Sequence, residues 1–449
     1  MSEALRPSWT PAGAAAQGAA IPQWVRHTWR TLASSTSTSS LPDAETFLVH
    51  TLSCLQRVRP GELHVFFDKQ RGVGWLGLGD ADVLHVEQGT AAPEAMQQLE
   101  AWRRRLPPQQ VAFFSVPFDV EDRRAAPEWQ SFLGVRACVP KFWLVVDDDG
   151  VRTHGAPPQS WQPSMWADAQ PALRDEVRLL ASSYAPGQGD WEAWVDDLVD
   201  DITSDSSLQK VVAARRLRLQ LDDDVDLGRW LSRRREPHGY LFHWQRDNAV
   251  FVGQSPELLC THVAEDVCTE ALAGTAPRGH DDVDDQAKGN ALLQSAKDRH
   301  EQALITAYIE KALAPYARVD VGPLQLKRLA TVQHLQTDVR ARLKTFPDVG
   351  VVGLLHPTPA VAGLPRMQAQ QHLRVREPFH RGLYAGALGV MTSSSLVACV
   401  ALRSMLLHGR QVDVFTGAGI VEGSVGRKEW DELQHKGAAA LDALLGAQK

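Results

Sequence analysis

Cysteine is scarce in this chain: five in 449 residues, Cys54, Cys138, Cys260, Cys268 and Cys399. Their odd number and the lack of any C-x-x-C argue against a disulfide framework or a zinc cluster and fit a reducing, cytoplasmic setting. No uncharged run approaches the roughly 20 residues of a membrane span. The N-terminus, MSEALRPSWTPAGAAAQGAAIPQW, has no apolar segment behind a basic start, so the expectation is a protein neither secreted nor membrane-spanning. A dense basic block is also missing. Lys+Arg 47 against Asp+Glu 54 leaves a net charge of -7, which gives nucleic acid and anionic membrane little support as partners, so neither is expected, and points to a small metabolite. At 44% hydrophobic and 22% charged residues the chain is no disordered polymer.

Length alone suggests about three domains, but the sequence holds one linker-like passage, Pro157 to Pro171, and no internal repeat. One large domain over 26–449 is therefore expected after a flexible tail at 1–25, with a variable part at 26–170 and a motif-rich part at 200–446. Ala44 to Arg57 has helical periodicity. LHVFFDKQRGVGWLGLGDADVLHVE reads as paired strands, VAFFSVPF as another strand, and Asp149-Gly150 as a hairpin turn.

Gly72-Val-Gly74-Trp-Leu-Gly77 matches G-x-G-x-x-G literally, yet no helix opens there and a strand-like VLHV follows. It is expected to be a hairpin or bulge rather than a dinucleotide site.

The chemistry concentrates further on. In LQKVVAARR a strand begins near Gln209, and a period of two gives Lys210 apolar neighbours, the setting that favours the uncharged form able to accept a proton. YLFHW and AVFVG flank a turn at Asp247-Asn248. The second of these strands stops at Pro256 and presents Glu257 at its end. LAGTAPRG lets backbone approach an anion at Gly274 and Thr275, and Arg278 offers a carboxylate fork. From about Asp285 one long helix is expected, with Asp298 and Glu301 on one face and Lys297 paired to Glu301. A C-terminal helix carries Glu429, Glu432 and Lys436 along one side. Facing carboxylates from two such helices suit a hard cation such as Mg²⁺. Taken singly, each of these is equally readable as solvated charge or a structural turn.

Together, QKVVAAR, SPELL, LAGTAPRG, SAKDRHE, LLHPTPAVAGLPR, RGLYAGALG and TGAGIVEGS with KEWDELQHK resemble the chorismate-utilising enzymes, the family of isochorismate, salicylate, anthranilate and aminodeoxychorismate synthases. The resemblance is strong from Leu208 to Leu445. From Leu63 to Val146 the chain is similar to the variable part of menaquinone-type isochorismate synthases. It implies an anthranilate synthase component I-like α+β fold, a single large chorismate-binding domain with two packed sheets and outer helices.

By the same resemblance Lys210 is the base that activates water and Glu257 the acid that protonates the departing hydroxyl. Glu301 and Glu432 bind Mg²⁺, with Asp298 and Glu429 nearby. Arg403 and the Gly417, Ala418 and Gly419 amides hold substrate carboxylates, and Gly274, Thr275, His334, Tyr384 and Lys436 line the pocket. Relatives that use ammonia carry glutamine where Lys210 stands, so water is the expected nucleophile and no glutaminase subunit is implied. Aminodeoxychorismate enzymes carry lysine where Ala273 stands. Isochorismate synthase is the reading preferred. Salicylate synthase is the rival from the same pocket, and a non-catalytic chorismate-binding protein is the rival from another class. Oligomeric state has no signal in the sequence.

Overall fold

Short β-branched and aromatic runs punctuated by Gly, Asp and Asn build a molecule dominated by antiparallel strands. The computed structural model describes residues 43–58, 61–147, 149–156, 177–204, 208–233, 238–329 and 332–445. The expected tail at 1–25 and the linker-like passage from Pro157 to Pro171 lie outside them.

The first elements are α1 (Ala44–Val58), β1 (Glu62–Asp68), β2 (Val73–Val86), α2 (Ala92–Arg104), β3 (Ala112–Val116), β4 (Val135–Asp147) and β5 (Gly150–His154). Here the local readings hold. β1 and β2 form a hairpin with Leu63 opposite Leu78, and Asp147 pairs Gly150 across the turn that Asp149 and Gly150 were expected to make. The G-x-G-x-x-G match lies in this hairpin. Gly72 takes φ 63 in the turn, while a Cβ on Gly74 would lie 2.2 Å from Leu48 and one on Gly77 2.5 Å from Phe113. These glycines admit core side chains, and no helix follows them.

Next come β6 (Leu179–Ala185), α3 (Gln188–Ser204), β7 (Lys210–Leu221), α4 (Leu227–Arg233), β8 (Tyr240–Arg246), β9 (Ala249–Ser255), β10 (Leu258–Val263), β11 (Asp266–Pro277), α5 (Asp282–Gln294) and α6 (Ala296–Leu313). The single long helix expected from Asp285 is two helices. Ser295, in extended conformation, ends α5 and caps α6 by accepting from the Asp298 amide, because a serine hydroxyl competes with helix continuation and satisfies a free N-terminal donor.

The chain finishes with β12 (Ala317–Val321), β13 (Gln325–Arg328), β14 (Val332–Leu343), α7 (Gly350–Leu355), β15 (Gly363–Leu364), α8 (Arg366–Arg376), β16 (Ala387–Met391), β17 (Ser395–Val400), β18 (Ser404–His408), β19 (Gln411–Ile420) and α9 (Gly426–Leu445).

The strands join in one hydrogen-bonded network with two branches. One runs β6, β7, β19, β18, β9, β8, β1, β2, β4. The other leaves β4 through β3, β16, β17, β10, β11 and β14. The branches pack face to face over an apolar interior that includes Phe66, Trp75, Phe113, Trp129, Phe251, Val390, Val397 and Phe415. A second apolar layer, with Phe47, Leu48, Trp230, Leu219, Leu407, Ala440 and Leu444, covers the outer face of the first branch with α1, α4 and α9. This is the expected pair of packed sheets with outer helices.

Two chain crossings connect the branches side by side. β9 belongs to one branch and β10 to the other, with Pro256 and Glu257 between them. β17 and β18 repeat the exchange through Ala401 to Arg403. The crossings are tied together, since Ser255 Oγ donates to the Val400 carbonyl at 2.5 Å and the Val400 amide donates to the Glu257 carbonyl at 3.1 Å. Arg403 turns the second crossing with φ 49. Among the described residues no helix is long and apolar enough to cross a membrane.

Candidate active site

The crossings deliver two of the expected site residues, and six further elements, β7, α6, β11, β14, β19 and α9, carry the others apart from Tyr384. Lys210 opens β7. Its side chain is 4% exposed, and Nζ lies 2.5 Å from Glu301 Oε1 on α6. The sequence suggested an apolar setting for Lys210 and a Lys297–Glu301 pair. Instead, β7 is buried on both faces through Arg215 and Glu301 takes Lys210 as its partner. Burial pushes the Glu301 carboxyl up, but the Lys210 charge and hydrogen bond, with Lys297 and Lys436 behind them, outweigh it and hold the group below its usual range.

Glu257 is 8% exposed. Burial, then the charge of Glu270, raises its pKa to about 7 against the opposing pull of Lys327 and Lys210. A buried carboxyl that is still half-protonated near neutrality and a buried lysine thus lie within electrostatic reach of each other.

The long strand β11 carries a bulge between Ala273 and Thr275. Gly274 occupies it with φ 63, and a Cβ there would lie 2.9 Å from Asp298 Oδ1; only glycine suits both the backbone angle and that contact. Thr275 lies opposite His334, and its hydroxyl is 3.1 Å from His334 Nδ1, which is also 3.1 Å from the Gly274 carbonyl. Burial lowers the His334 pKa to about 4, so the ring is neutral. Arg403, Lys436 and Lys327 contribute to that shift, so all three cations lie within electrostatic reach of the ring. Arg278 takes no part: its guanidinium holds Asp285 at 2.6 Å and the Leu329 carbonyl at 2.7 Å. The carboxylate fork expected there is a structural tie.

Gly417, Ala418 and Gly419 lie on β19 opposite Ala214, Ala213 and Val212. The β18 pairing of β19 ends at Val414, so past that point β7 flanks the strand on one side. A Cβ on Gly417 would lie 2.9 Å from the Tyr384 hydroxyl, and one on Gly419 3.0 Å from Lys210 Cε. Tyr384 stacks on Phe415 with ring centroids 5.2 Å apart, and burial raises its hydroxyl pKa.

On α9, Lys436 Nζ pairs with Glu432 Oε1 at 2.6 Å and donates to the Gly417 carbonyl at 3.0 Å. Burial and the neighbouring Glu432 charge raise the Glu429 carboxyl. Lys297 and Lys436 act electrostatically on both Glu429 and Glu301, and the carboxylates of α9 and α6 fit a hard divalent cation in their oxygen chemistry. They are not drawn into a tight cluster here. Among the described residues, the His, Cys, Asp or Glu group whose donor atoms all lie within 4.8 Å is His64, Asp80 and Cys138. That candidate metal-binding group sits on β1, β2 and β4, away from the pocket, and its imidazole and thiol suit a softer ion than Mg²⁺. Arg246 and Arg136 act electrostatically on its His64.

The family described as "Chorismate binding enzyme" matches residues 32–445. The chain belongs to this family. It is 38% identical over 264 residues to isochorismate synthase MenF of Haemophilus influenzae, covering 58% of this chain and 61% of that protein. It is 41% identical over 287 residues to the salicylate biosynthesis isochorismate synthase of Pseudomonas aeruginosa, covering 61% and 60%. These matches span about three fifths of the length of those curated relatives. The solved structure of MenF, the menaquinone-specific isochorismate synthase from Escherichia coli, superposes with a TM-score of 0.76 at 26% identity, covering 88% of this chain and 91% of that one. The fold is thus the anthranilate synthase component I-like α+β architecture that the motifs implied.

Several residues that shape the pocket escaped the sequence reading. Glu270 and Lys327 bond the backbone of Leu258 and Pro256 on either side of Glu257, and Gln336 donates to Glu270. Arg215, 2% exposed, lies between the rings of Tyr184 at 4.7 Å and Trp430 at 4.1 Å and pins α9 to the sheet. Alternation along β11 puts Glu270 on the face of Leu272, and nothing local marks it as more than a solvated carboxylate.

Proposed function

We propose that this protein is an isochorismate synthase, converting chorismate to isochorismate with Mg²⁺. Lys210 takes a proton from water as the oxygen attacks C2, both ring double bonds shift by one position, and the C4 hydroxyl leaves as water with the proton of Glu257. One water enters and one departs, so substrate and product are isomers and no redox cofactor is needed. The observation that carries this reading is the pair of buried groups in one pocket, Lys210 and a Glu257 carboxyl still protonated near pH 7. General acid–base catalysis needs such opposed partners at a single pH.

Glu301 and Glu432, with Asp298 and Glu429 beside them, would hold Mg²⁺, which when bound neutralises and orients a substrate carboxylate. Engagement of Glu301 in that role leaves the Lys210 amine available to water. Arg403, Lys436 and the Gly417 and Gly419 amides receive the substrate's two carboxylates. The Ala418 amide, expected to join them, faces β7 instead, because the Ala214 and Val212 amides donate to Glu377 and Ala362 and leave Ala418 and Ala213 as the hydrogen-bonded pair. Neutral His334, oriented by Thr275 and Gly274, and Tyr384 shape the pocket. Two relatives bearing the name isochorismate synthase favour this product over salicylate. The single-domain organisation and a cytoplasmic location accord with it.

The test is product analysis of purified protein given chorismate and Mg²⁺. Accumulated isochorismate is expected. Salicylate plus pyruvate without an added lyase would assign the rival synthase, and chorismate bound but unchanged would assign a non-catalytic binding protein.

A further inference from the structure

We infer that Glu270 and Lys327 form a charged clamp that positions Glu257 and sets the pH range over which it can donate its proton. The inference rests on the reading of Glu257 as the acid. Glu257 sits on a crossing between the two branches, where strand hydrogen bonding lapses and each backbone group needs another partner. The clamp supplies two of them. Glu270 Oε1 accepts from the Leu258 amide at 3.0 Å, and Lys327 Nζ donates to the Pro256 carbonyl at 3.1 Å. The backbone on both sides of Glu257 is thereby held by one ion pair, Lys327 Nζ being 2.7 and 2.8 Å from the two Glu270 oxygens. Gln336 Nε2 donates to Glu270 Oε2 at 2.6 Å and completes the carboxylate's partners. Glu257's own amide and carbonyl are met by Ser255 Oγ and the Val400 amide.

The pair is buried, with side chains 7% and 10% exposed. Holding a backbone does not require charge, and a neutral amide could do it without the desolvation cost that a buried ion pair carries. The charge has a distinct effect because the pair is asymmetric about Glu257. Of its two members, Glu270 acts the more strongly on that carboxyl. The ionisable groups facing Glu257 are Glu270 on β11, Lys327 on β13, Lys210 on β7 and the Cys399 thiol on β17. Glu270 is the carboxylate among those that shift it, so its charge keeps Glu257 protonated at higher pH than burial alone would.

The experiment is the pH dependence of kcat/KM for the full chain with chorismate and Mg²⁺, alongside melting temperatures. Glu270→Gln keeps shape and removes the charge. The limb on which activity falls with rising pH should move down by about one unit, giving roughly tenfold lower activity than wild type above the limb and little change below it. Adding Lys327→Met to Glu270→Gln removes the unpaired cation and should return the limb part of the way toward wild type. A limb that stays at its wild-type position in both variants, with only melting temperature reduced, would reduce the clamp to a structural tie and overturn the inference. Wild-type turnover in Glu257→Gln would instead remove the acid reading on which it rests, and the clamp's role with it.

Discussion

Lys210 Nζ lies 2.5 Å from Glu301 Oε1, joining residues 91 positions apart in the chain. The proposed base and a proposed cation ligand therefore share one bond. Lys210→Met is expected to cut kcat by about 10²–10⁴-fold, the usual worth of a general base. Glu301 keeps a side chain 23% exposed to solvent, so the melting temperature should fall by only about 5 °C or less. Steady-state kinetics beside a thermal melt checks both numbers; a variant that turns over like wild type would remove Lys210 from the chemistry.

Cation dependence should follow the acidic residues on α6 and α9. Chelation should abolish turnover and Mg²⁺ restore it. Glu301→Gln and Glu432→Gln should each raise the Mg²⁺ concentration for half-maximal rate by at least about tenfold, the order of effect of removing one carboxylate oxygen ligand from a hard-ion site. Replacing His64 or Cys138 should leave this titration unchanged, because their cluster lies on the opposite part of the sheet network. A Mg²⁺ titration of each variant decides it.

Glu257 also links stability to pH. Its folded pKa of about 7 lies above the ordinary value of 4.5, so between those values the folded chain binds more protons than the unfolded one. Its contribution to stability is full below about pH 4.5 and is lost as pH rises through 7. Glu257→Gln cannot ionise and should lack this loss. Urea unfolding at pH 5 and pH 8 should show wild type losing about 3 kcal/mol more than the variant across that interval. Equal losses would mean that Glu257 ionises normally.

Gly274→Ala should harm the pocket more than its size suggests. The added Cβ meets Asp298 at 2.9 Å at a residue with φ 63, where a side chain costs about 1–2 kcal/mol. Asp298 is hydrogen-bonded to Ser295 at the start of α6, so displacing it disturbs the helix that carries Glu301. The expected result is a lower melting temperature together with a higher Mg²⁺ requirement. A change in melting temperature alone would separate the bulge from the cation site.

Hairpins were legible because their signals are local. Asp149-Gly150 and Asp247-Asn248 mark turns by residue type, and Asp247 does take the left-handed backbone, φ 52. Where the competing interactions were local but closely balanced, the reading failed. Ser295 breaks what periodicity presents as one helix, and Arg278 spends its fork on Asp285.

The sequence by itself determined which chemical groups are available and in what order, through motifs dense enough to name the family. Tertiary structure decided their partners. Lys210 meets Glu301 rather than an apolar wall, Glu257 and Arg403 fall on adjacent crossings between two sheet branches, and Glu270 and Lys327, 57 residues apart, close around Glu257. Strand pairing between distant segments depends on burying both faces of the whole sheet network at once. No short window of residues records that condition, so the charges that tune Glu257 emerge only when the branches are packed.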